Sequence, residues 1–328
     1  MNAAARCPMT LDLLVCPGCR TLRGDRLELR TLERAADVLA CECGRRYPII
    51  DGVPLVMADP SAYVRAEIAT IVERDLAPEV AALLAAPGPD DAPYPRLLEH
   101  LSIYLDAHWG DRATPPPHPG FALAPFVERL AALPRVGLAV ELGCSVGRVL
   151  AELPAERAID LDLHLGAVRR ARRLLAGESL GYARREIGRH YTAATIAGVP
   201  VTGREVLCAD ALDPPLPPGM ADRVVALNVL DSVARPRQLL SVIDGLCAPG
   251  GEIVISSPYA WQSSVLADHE RLGGADPAAA LRSILTTGDG LRTPYRIEED
   301  AEIAWTLRRD ARSAVTYRSH FVRARKGT

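Results

Sequence analysis

The chain has 328 residues, a formal net charge of −3 and 48% hydrophobic residues. That is enough material for one large domain and a small one, each with a buried core. The near-neutral balance does not advertise nucleic acid, although a local basic patch is compatible with it. No apolar run is long enough to span a bilayer and no signal peptide is recognisable, so a cytoplasmic protein is expected. Basic residues are almost all arginine, Lys326 being the one lysine. A Schiff-base or phosphate-loop lysine is therefore excluded from the folded body.

The first motif is a cysteine knuckle. Cys16-Pro-Gly-Cys19 and Cys41-Glu-Cys43 are separated by 21 residues. The first pair sits in a tight turn and the second is followed by Gly44; four thiolates brought together would close a tetrahedral structural zinc site, the alternatives being a redox pair or unrelated core thiols. The segments 26–29 and 38–40 read as two short strands of a hairpin between them. The other cysteines, Cys7, Cys144, Cys208 and Cys247, are scattered and read as small buried hydrophobes. Together, Leu13-Leu-Val-Cys-Pro and Tyr47-Pro-Ile-Ile-Asp-Gly-Val-Pro54 resemble the small zinc-binding activator family that partners tRNA and protein methyltransferases. The resemblance covers about residues 10–57. The second cysteine pair departs from it, being C-x-C where the family usually has C-x-x-C. A structural role for the metal is implied.

Residues 61–86 show helical periodicity, broken by Pro87-Gly-Pro-Asp-Asp. A second amphipathic stretch covers Leu97–Trp109, and Pro115-Pro-Pro-His-Pro-Gly120 marks a boundary. This region reads as a helical linker or lid in which His108 and Trp109 can line a pocket, or else simply pack on the main domain. The expected organisation is a zinc module at 8–58, a helical linker or lid at 59–118, and a main domain at 119–328.

From residue 136 onward, strand-like and helix-like segments alternate, which implies a parallel sheet with right-handed crossovers. The strands expected are Val136–Leu142, Arg157–Leu161, Glu205–Asp210, Arg223–Asn228 and Glu252–Ser257. Segments 302–309 and 314–323 can add an antiparallel pair. The first strand runs into Glu141-Leu-Gly-Cys-Ser-Val-Gly147, the small-residue turn at which a doubly wound sheet meets a nucleotide-like cofactor. Asp160 closes the second strand seventeen residues past Gly143, where a carboxylate can accept ribose hydroxyls. Asp210 closes the third, where a side chain can reach an adenine amino group.

This pattern resembles the class I S-adenosylmethionine-dependent methyltransferases over roughly residues 120–328. The resemblance implies an α/β fold with a seven-stranded Rossmann-like sheet, alongside the small zinc-binding β-hairpin module and the helical linker. It implies S-adenosylmethionine contacts at Glu141, Gly143, Cys144, Ser145, Gly147, Asp160, Leu161, Asp210, Ala211 and Asn228. Ala221-Asp-Arg-Val corresponds to the family's fourth-strand motif, and Pro249-Gly-Gly251 to the turn before the fifth strand. A dinucleotide dehydrogenase would instead need glycine near position 145 for the pyrophosphate.

Gly143-Cys-Ser-Val-Gly-Arg148, Leu227-Asn-Val-Leu-Asp231, Ser256-Ser-Pro-Tyr-Ala-Trp261 and Leu272-Gly-Gly274 further resemble the methyltransferase domain of ovothiol biosynthesis, which methylates a ring nitrogen of a mercaptohistidine. Trp305-Thr-Leu-Arg-Arg-Asp-Ala-Arg312 echoes its C-terminal pattern. Ala260 and Ser232 depart from it, and no sulfoxide-synthase domain accompanies the chain. The resemblance points to Asn228, Asp231, Tyr259 and Trp261 as candidate catalytic residues. Asn228 and Asp231 would orient or deprotonate a substrate, and Tyr259 and Trp261 would stack on it. Arg169, Arg170, Arg172 and Arg173 lie in one helix, with Arg184, Arg185 and Arg189 beyond. They read as a solvated face, or as phosphate contacts in an RNA enzyme.

The leading expectation is an N-methyltransferase for a small imidazole-containing or amino-acid-like metabolite, with a small molecule as partner and neither membrane nor nucleic acid required. The alternatives are a ribosomal or transfer RNA base methyltransferase, since ribosomal guanine methyltransferases also join a four-ligand zinc site to this fold, and a non-catalytic scaffold.

Overall fold

The computed structural model of the protein describes residues 10–23, 26–85, 93–118 and 120–328. Cys7 and the whole of the 87–91 breaker motif lie outside the described residues. In the N-terminal module, β1 (Thr21–Arg23) pairs with β2 (Arg26–Glu28). β3 (Glu33–Ala35), β4 (Val38–Ala40), β5 (Arg46–Ile50) and β6 (Val53–Pro54) form an antiparallel meander. The single hairpin expected between 26–29 and 38–40 does not form. Each segment pairs with a neighbour nearer in sequence, where loop closure costs less entropy. Asp51 and Gly52, both at positive φ, make the tight β5–β6 turn. Leu14, Leu39 and Tyr47 fill the small core.

The continuous periodicity of 61–86 resolves into three short helices, α1 (Pro60–Ala66), α2 (Ile68–Val72) and α3 (Pro78–Ala85). The chain leaves the helix at Glu73, whose backbone is extended, and Pro78 biases its predecessor away from the helical region. Glu73 and Asp75 in this break turn toward arginines of the main domain. α4 (Pro93–Trp109) buries Leu98, Leu101 and Leu105. β7 (Ala113–Thr114) and α5 (Ala124–Ala131) lead into the main sheet.

That sheet contains β8 (Val136–Leu142), β9 (Ala155–Asp162), β12 (Arg204–Cys208), β13 (Ala221–Leu227), β14 (Cys247–Ser257), β15 (Tyr295–Arg308) and β16 (Ala314–Lys326). β10 (Ser179–Ile187) and β11 (His190–Ala197) lie outside it. Its order is β12-β9-β8-β13-β14-β16-β15, with five parallel strands followed by an antiparallel pair, which is the seven-stranded α/β architecture expected. The helices α6 (Arg148–Glu152), α7 (Leu165–Leu175), α8 (Pro236–Leu246) and α9 (Pro277–Thr287) join or flank the strands.

The β10–β11 hairpin, joined by β7, is an insertion that the sequence reading missed. Its alternation is masked because Arg184 and other charged residues turn inward to ion pairs. One such pair fastens α4. Asp106, 1% exposed, accepts from Arg184 at 3.0 Å and from Arg308 at 3.1 Å, and also meets the Tyr182 hydroxyl. A helix held by three buried partners is a fixed wall of the domain.

The module docks on the free edge of β12. Leu55 forms a parallel bridge with Cys208, the Val56 N–H donates to the Cys208 carbonyl at 3.0 Å, and Arg20 pairs with Asp213. Among the described residues no helix is long and apolar enough to cross a membrane.

Candidate active site

The parallel strands end along one edge, and there the chain opens a cavity of about 360 Å³. Its floor is the β8–α6 turn. Gly143 takes φ +84° and donates to the Leu161 carbonyl at 2.7 Å; a side chain at this position would overlap Val229. Ser145 also has positive φ, a conformation that costs a non-glycine residue about 1–3 kcal/mol. Its N–H donates to Asp162 at 2.8 Å, and the other Asp162 oxygen accepts from the His164 N–H at 2.8 Å. One carboxylate therefore braces the turn and the entry to α7 together.

Glu141, Gly143, Ser145, Leu161, Asp210, Ala211 and Asn228 line the cavity, as the sequence pattern leads one to expect of their positions. Three other expected residues do not. Cys144 packs its thiol into the core, and burial drives its pKa upward. Gly147, at φ +77°, starts α6, where an added Cβ would lie 2.8 Å from Ala171.

Asp160 is the third correction. It is 0% exposed and lies in the sheet interior opposite Glu141, because β9 runs on to Asp162. The acid that reaches the cavity is thus Asp162, nineteen residues past Gly143. Neither Asp160 oxygen meets an N–H or hydroxyl donor. Its neighbours are the Cys144 thiol and the carboxyl of Glu141. Two neighbouring carboxyl groups buried in this way resist both carrying a charge. Burial raises Glu141 to about 8 and pushes Asp160 well above the carboxylate range.

The opposite wall comes from α4. His100, Tyr104 and His108, at i, i+4 and i+8, all face the cavity, and His164 stacks on His100 at 5.4 Å. Burial holds His100 down to about 4 and His108 to about 3, so both rings are neutral at pH 7. The His108 Nδ1 atom is buried without a partner. Trp109 does not join this wall; it is fully buried and its indole donates to the Val146 carbonyl at 2.8 Å. Trp305 and Leu307 of β15 complete the lining. The spacing of His100, Tyr104 and His108 was the available signal for this wall. Trp305 carried no spacing signal, because it comes from an antiparallel strand remote in sequence.

Of the candidate catalytic residues only Asn228 lines the cavity. Asp231 is 3% exposed and accepts from the Ala260 N–H at 2.8 Å, tying the loop after β14 to the loop after β13. Tyr259 turns its hydroxyl to His320 at 2.8 Å, and His320 reaches Asp300 at 3.1 Å. Trp261 packs beside Tyr259, ring centroids 5.7 Å apart. The loop carrying both aromatics thus stacks behind the one that presents Ser232 and Val233 to the cavity.

The arginine run also differs from both expectations. Arg169 and Arg170 are buried against Asp51, Glu73 and Asp75, and Arg173 pairs with Asp75 and Glu178. Arg184 is spent on Asp106, and Arg185 on Glu99. The first three guanidinium groups clamp the linker and the module turn onto α7, and the last two hold α4 on β10.

The four knuckle cysteines converge. Their sulfurs lie within 4.8 Å of one another, with Cys16–Cys43 at 3.9 Å and Cys19–Cys41 at 3.7 Å. Disulfide bonding would need about 2.05 Å. Four thiolates around zinc at about 2.3 Å stand roughly 3.8 Å apart, so this donor set fits zinc.

Residues 140–255 match the methyltransferase domain family, and residues 8–52 match the Trm112p-like protein family. With the seven-stranded sheet, these matches show that the chain carries a methyltransferase domain. Its N-terminal module is of the Trm112p-like kind. None of the curated proteins matches the chain. Among solved structures it is similar to a chain of the complex between the Haloferax volcanii Trm112 methyltransferase activator and a protein described there as a methyltransferase. The identity is 15%, 71% of this chain and 96% of that one are covered, and the TM-score is 0.46. The N-methyltransferase NodS from Bradyrhizobium japonicum shares 14% identity over 73% of this chain and 100% of its own, at a TM-score of 0.39. Magnesium protoporphyrin IX methyltransferase from Synechocystis shares 17% over 62% and 76%, at 0.38. At these scores the likenesses carry no argument about substrate.

Proposed function

We propose that the chain transfers the methyl group of S-adenosylmethionine to a nitrogen of a small imidazole-containing or amino-acid-like metabolite. The observation that carries this reading is the wall facing the β8–α6 turn. It is a fixed helix with neutral imidazole and phenol side chains, completed by Trp305, and it offers no free cation to a phosphate backbone. The cavity of about 360 Å³ includes the residues assigned to the cofactor, so the α4 wall and Trp305 are what face the acceptor. Of the arginines that would have served an RNA strand, Arg169, Arg170, Arg173, Arg184 and Arg185 are paired with carboxylates.

In this reading Asp162 holds the ribose hydroxyls, and Asp210 and Ala211 meet the adenine. Glu141, Gly143 and Ser145 cradle the methionine part. The sulfonium supplies an electrophilic methyl group, and transfer is an in-line displacement. The protein then has to align the attacking nitrogen with the methyl and keep water out. A neutral azole nitrogen needs no strong base for that step, and the buried His108 ring can accept a hydrogen bond from the substrate's other N–H. The cysteine knuckle holds zinc and supports the sheet edge.

The test is methyl transfer from labelled S-adenosylmethionine to fractionated host metabolites and, in parallel, to host RNA. Label in a small-molecule fraction, insensitive to salt, is the expected outcome. Label confined to RNA would overturn the substrate class.

A further inference from the structure

Three side chains fix the direction of the Asn228 amide. Ser256 and Ser319, both 0% exposed, donate to Asn228 Oδ1 at 3.1 and 2.9 Å. The Trp305 indole N–H, which can only donate, gives its proton to Ser319 Oγ at 2.9 Å. Ser319 must then pass its own proton onward, and Asn228 Oδ1 is the acceptor it touches. The reverse amide orientation would leave that hydroxyl proton buried without an acceptor, at the cost of an unmade hydrogen bond. The Asn228 backbone is fixed as well, at φ +56° with its N–H on the Ser256 carbonyl at 2.8 Å.

We propose that Ser319, with Ser256 and Trp305, positions Asn228 so that its NH2 group faces the cavity as a fixed donor, and that this donor receives a carboxylate or carbonyl oxygen of the methyl-accepting substrate. The inference rests on the methyl-transfer reading above and deepens it. A fixed donor cannot take a proton from the nucleophile. It is also wasted on the attacking nitrogen, whose lone pair must point at the methyl. What it can hold is an oxygen beside the reacting ring.

Sheet order assigns that oxygen to the substrate. The turn after β8, Asp162 at the end of β9 and Asp210 after β12 occupy one half of the sheet edge. Asn228 is tied to β14 and β16, and Trp305 stands on β15, in the other half. Ser319 and Trp305 touch each other and bind the donor in place, so they act on the reaction through Asn228.

The experiment uses the full chain loaded with S-adenosylhomocysteine and two probes, L-histidine and histamine. They share a ring and an amine and differ by the carboxylate. Calorimetry should give L-histidine about ten- to hundredfold tighter binding, the weight of one charge-assisted hydrogen bond. Ser319→Ala should erase the preference with S-adenosylhomocysteine affinity unchanged, Ser319→Thr should restore it, and Asn228→Asp should turn it toward histamine. In parallel, the Asn228 side-chain amide is followed by NMR as sodium acetate is added. It should shift in the native protein and stay still in Ser319→Ala.

An amide that ignores acetate in the native protein would overturn the inference. So would a preference that survives Ser319→Ala, or an Asn228→Asp loss confined to S-adenosylhomocysteine, which would give the donor to the cofactor's carboxylate. An amide that responds to acetate in a protein that binds neither probe would uphold the fixed donor and remove the imidazole amino-acid reading alone.

Discussion

Leu55 of the N-terminal module pairs with Cys208 at the end of β12, and the next residue, Val56, donates its N–H to the Cys208 carbonyl at 3.0 Å. The module therefore protects a sheet edge whose backbone groups would otherwise face solvent. Asp210, two residues past Cys208, lines the cavity. Anything that loosens the module reaches the site by that short path.

Replacing Cys41 and Cys43 together by serine should release one zinc per chain and unfold the module, because metal binding at such a site is folding free energy. Affinity for S-adenosylmethionine should fall as well. Elemental analysis, thermal unfolding and calorimetry on the same preparations measure all three effects. Chelator-free native protein without zinc would overturn the assignment.

Asp162 and Asp160 make opposite predictions. Asp162→Asn should weaken S-adenosylmethionine binding about ten- to hundredfold, by removing charge-assisted bonds to the ribose and loosening the Ser145 turn. Asp160→Asn, in the sheet interior, should leave that affinity within about threefold, less than the loss of one such bond. Equal losses in calorimetry would return the ribose to Asp160.

The paired carboxyls also set a pH dependence. The Glu141 pKa is raised in the folded state from 4.5 to about 8, and burial is the largest cause. A group raised in this way binds its proton more tightly when folded. Its contribution to stability is complete below about pH 4.5 and is lost as pH rises toward 8. Asp160 shifts in the same direction. Native protein should therefore lose stability across this window, and Asp160→Asn, which removes one acid and leaves an N–H donor for Glu141, should flatten the loss. Denaturant midpoints measured from pH 5 to 9 would test it; parallel curves for the two proteins would count against the buried carboxyl pair as its cause.

How much was legible follows from what periodicity can report. Apolar runs marked the five parallel strands, because each buries its side chains wherever the neighbouring strand lies, but the polar first half of β15, from Tyr295, went unmarked before the expected segment at 302. They did not mark where β9 stops. A difference of two residues, Asp160 against Asp162, leaves the same sheet face but moves the side chain from the interior to the cavity. Tyr259 and Trp261 failed as cavity residues for a different reason. Their loop position was inferred correctly as following β14, but whether a loop faces a cavity or backs another loop depends on Asp231 and its bond to Ala260. The arginine cluster misled through composition. Its partners, Glu73, Asp75 and Asp51, come from segments distant in sequence whose approach no local pattern reports.

Those arginines support the sharpest separation between the small-molecule and RNA readings. Arg170 is buried and bonds Glu73 at 2.7 Å and Asp75 at 2.6 Å, while Arg169 bonds the Glu73 carbonyl at 2.8 Å. Removing Arg170 takes two charge-assisted hydrogen bonds from carboxylates that keep Arg169 and Arg173 beside them, a loss of about 1.5–3 kcal/mol. Arg170→Ala should thus lower the unfolding midpoint strongly, and Arg169→Ala should loosen the Asp51 turn of the module. Restoring neutrality through the double change Arg170→Met with Glu73→Gln should recover much of the loss. An RNA enzyme using these groups on phosphates would behave otherwise. Its variants would fold normally and lose RNA affinity, with a salt dependence reduced for each contact removed. Thermal unfolding alongside salt-titrated RNA binding distinguishes the two, and stable variants with weakened RNA binding would make the small-molecule reading untenable.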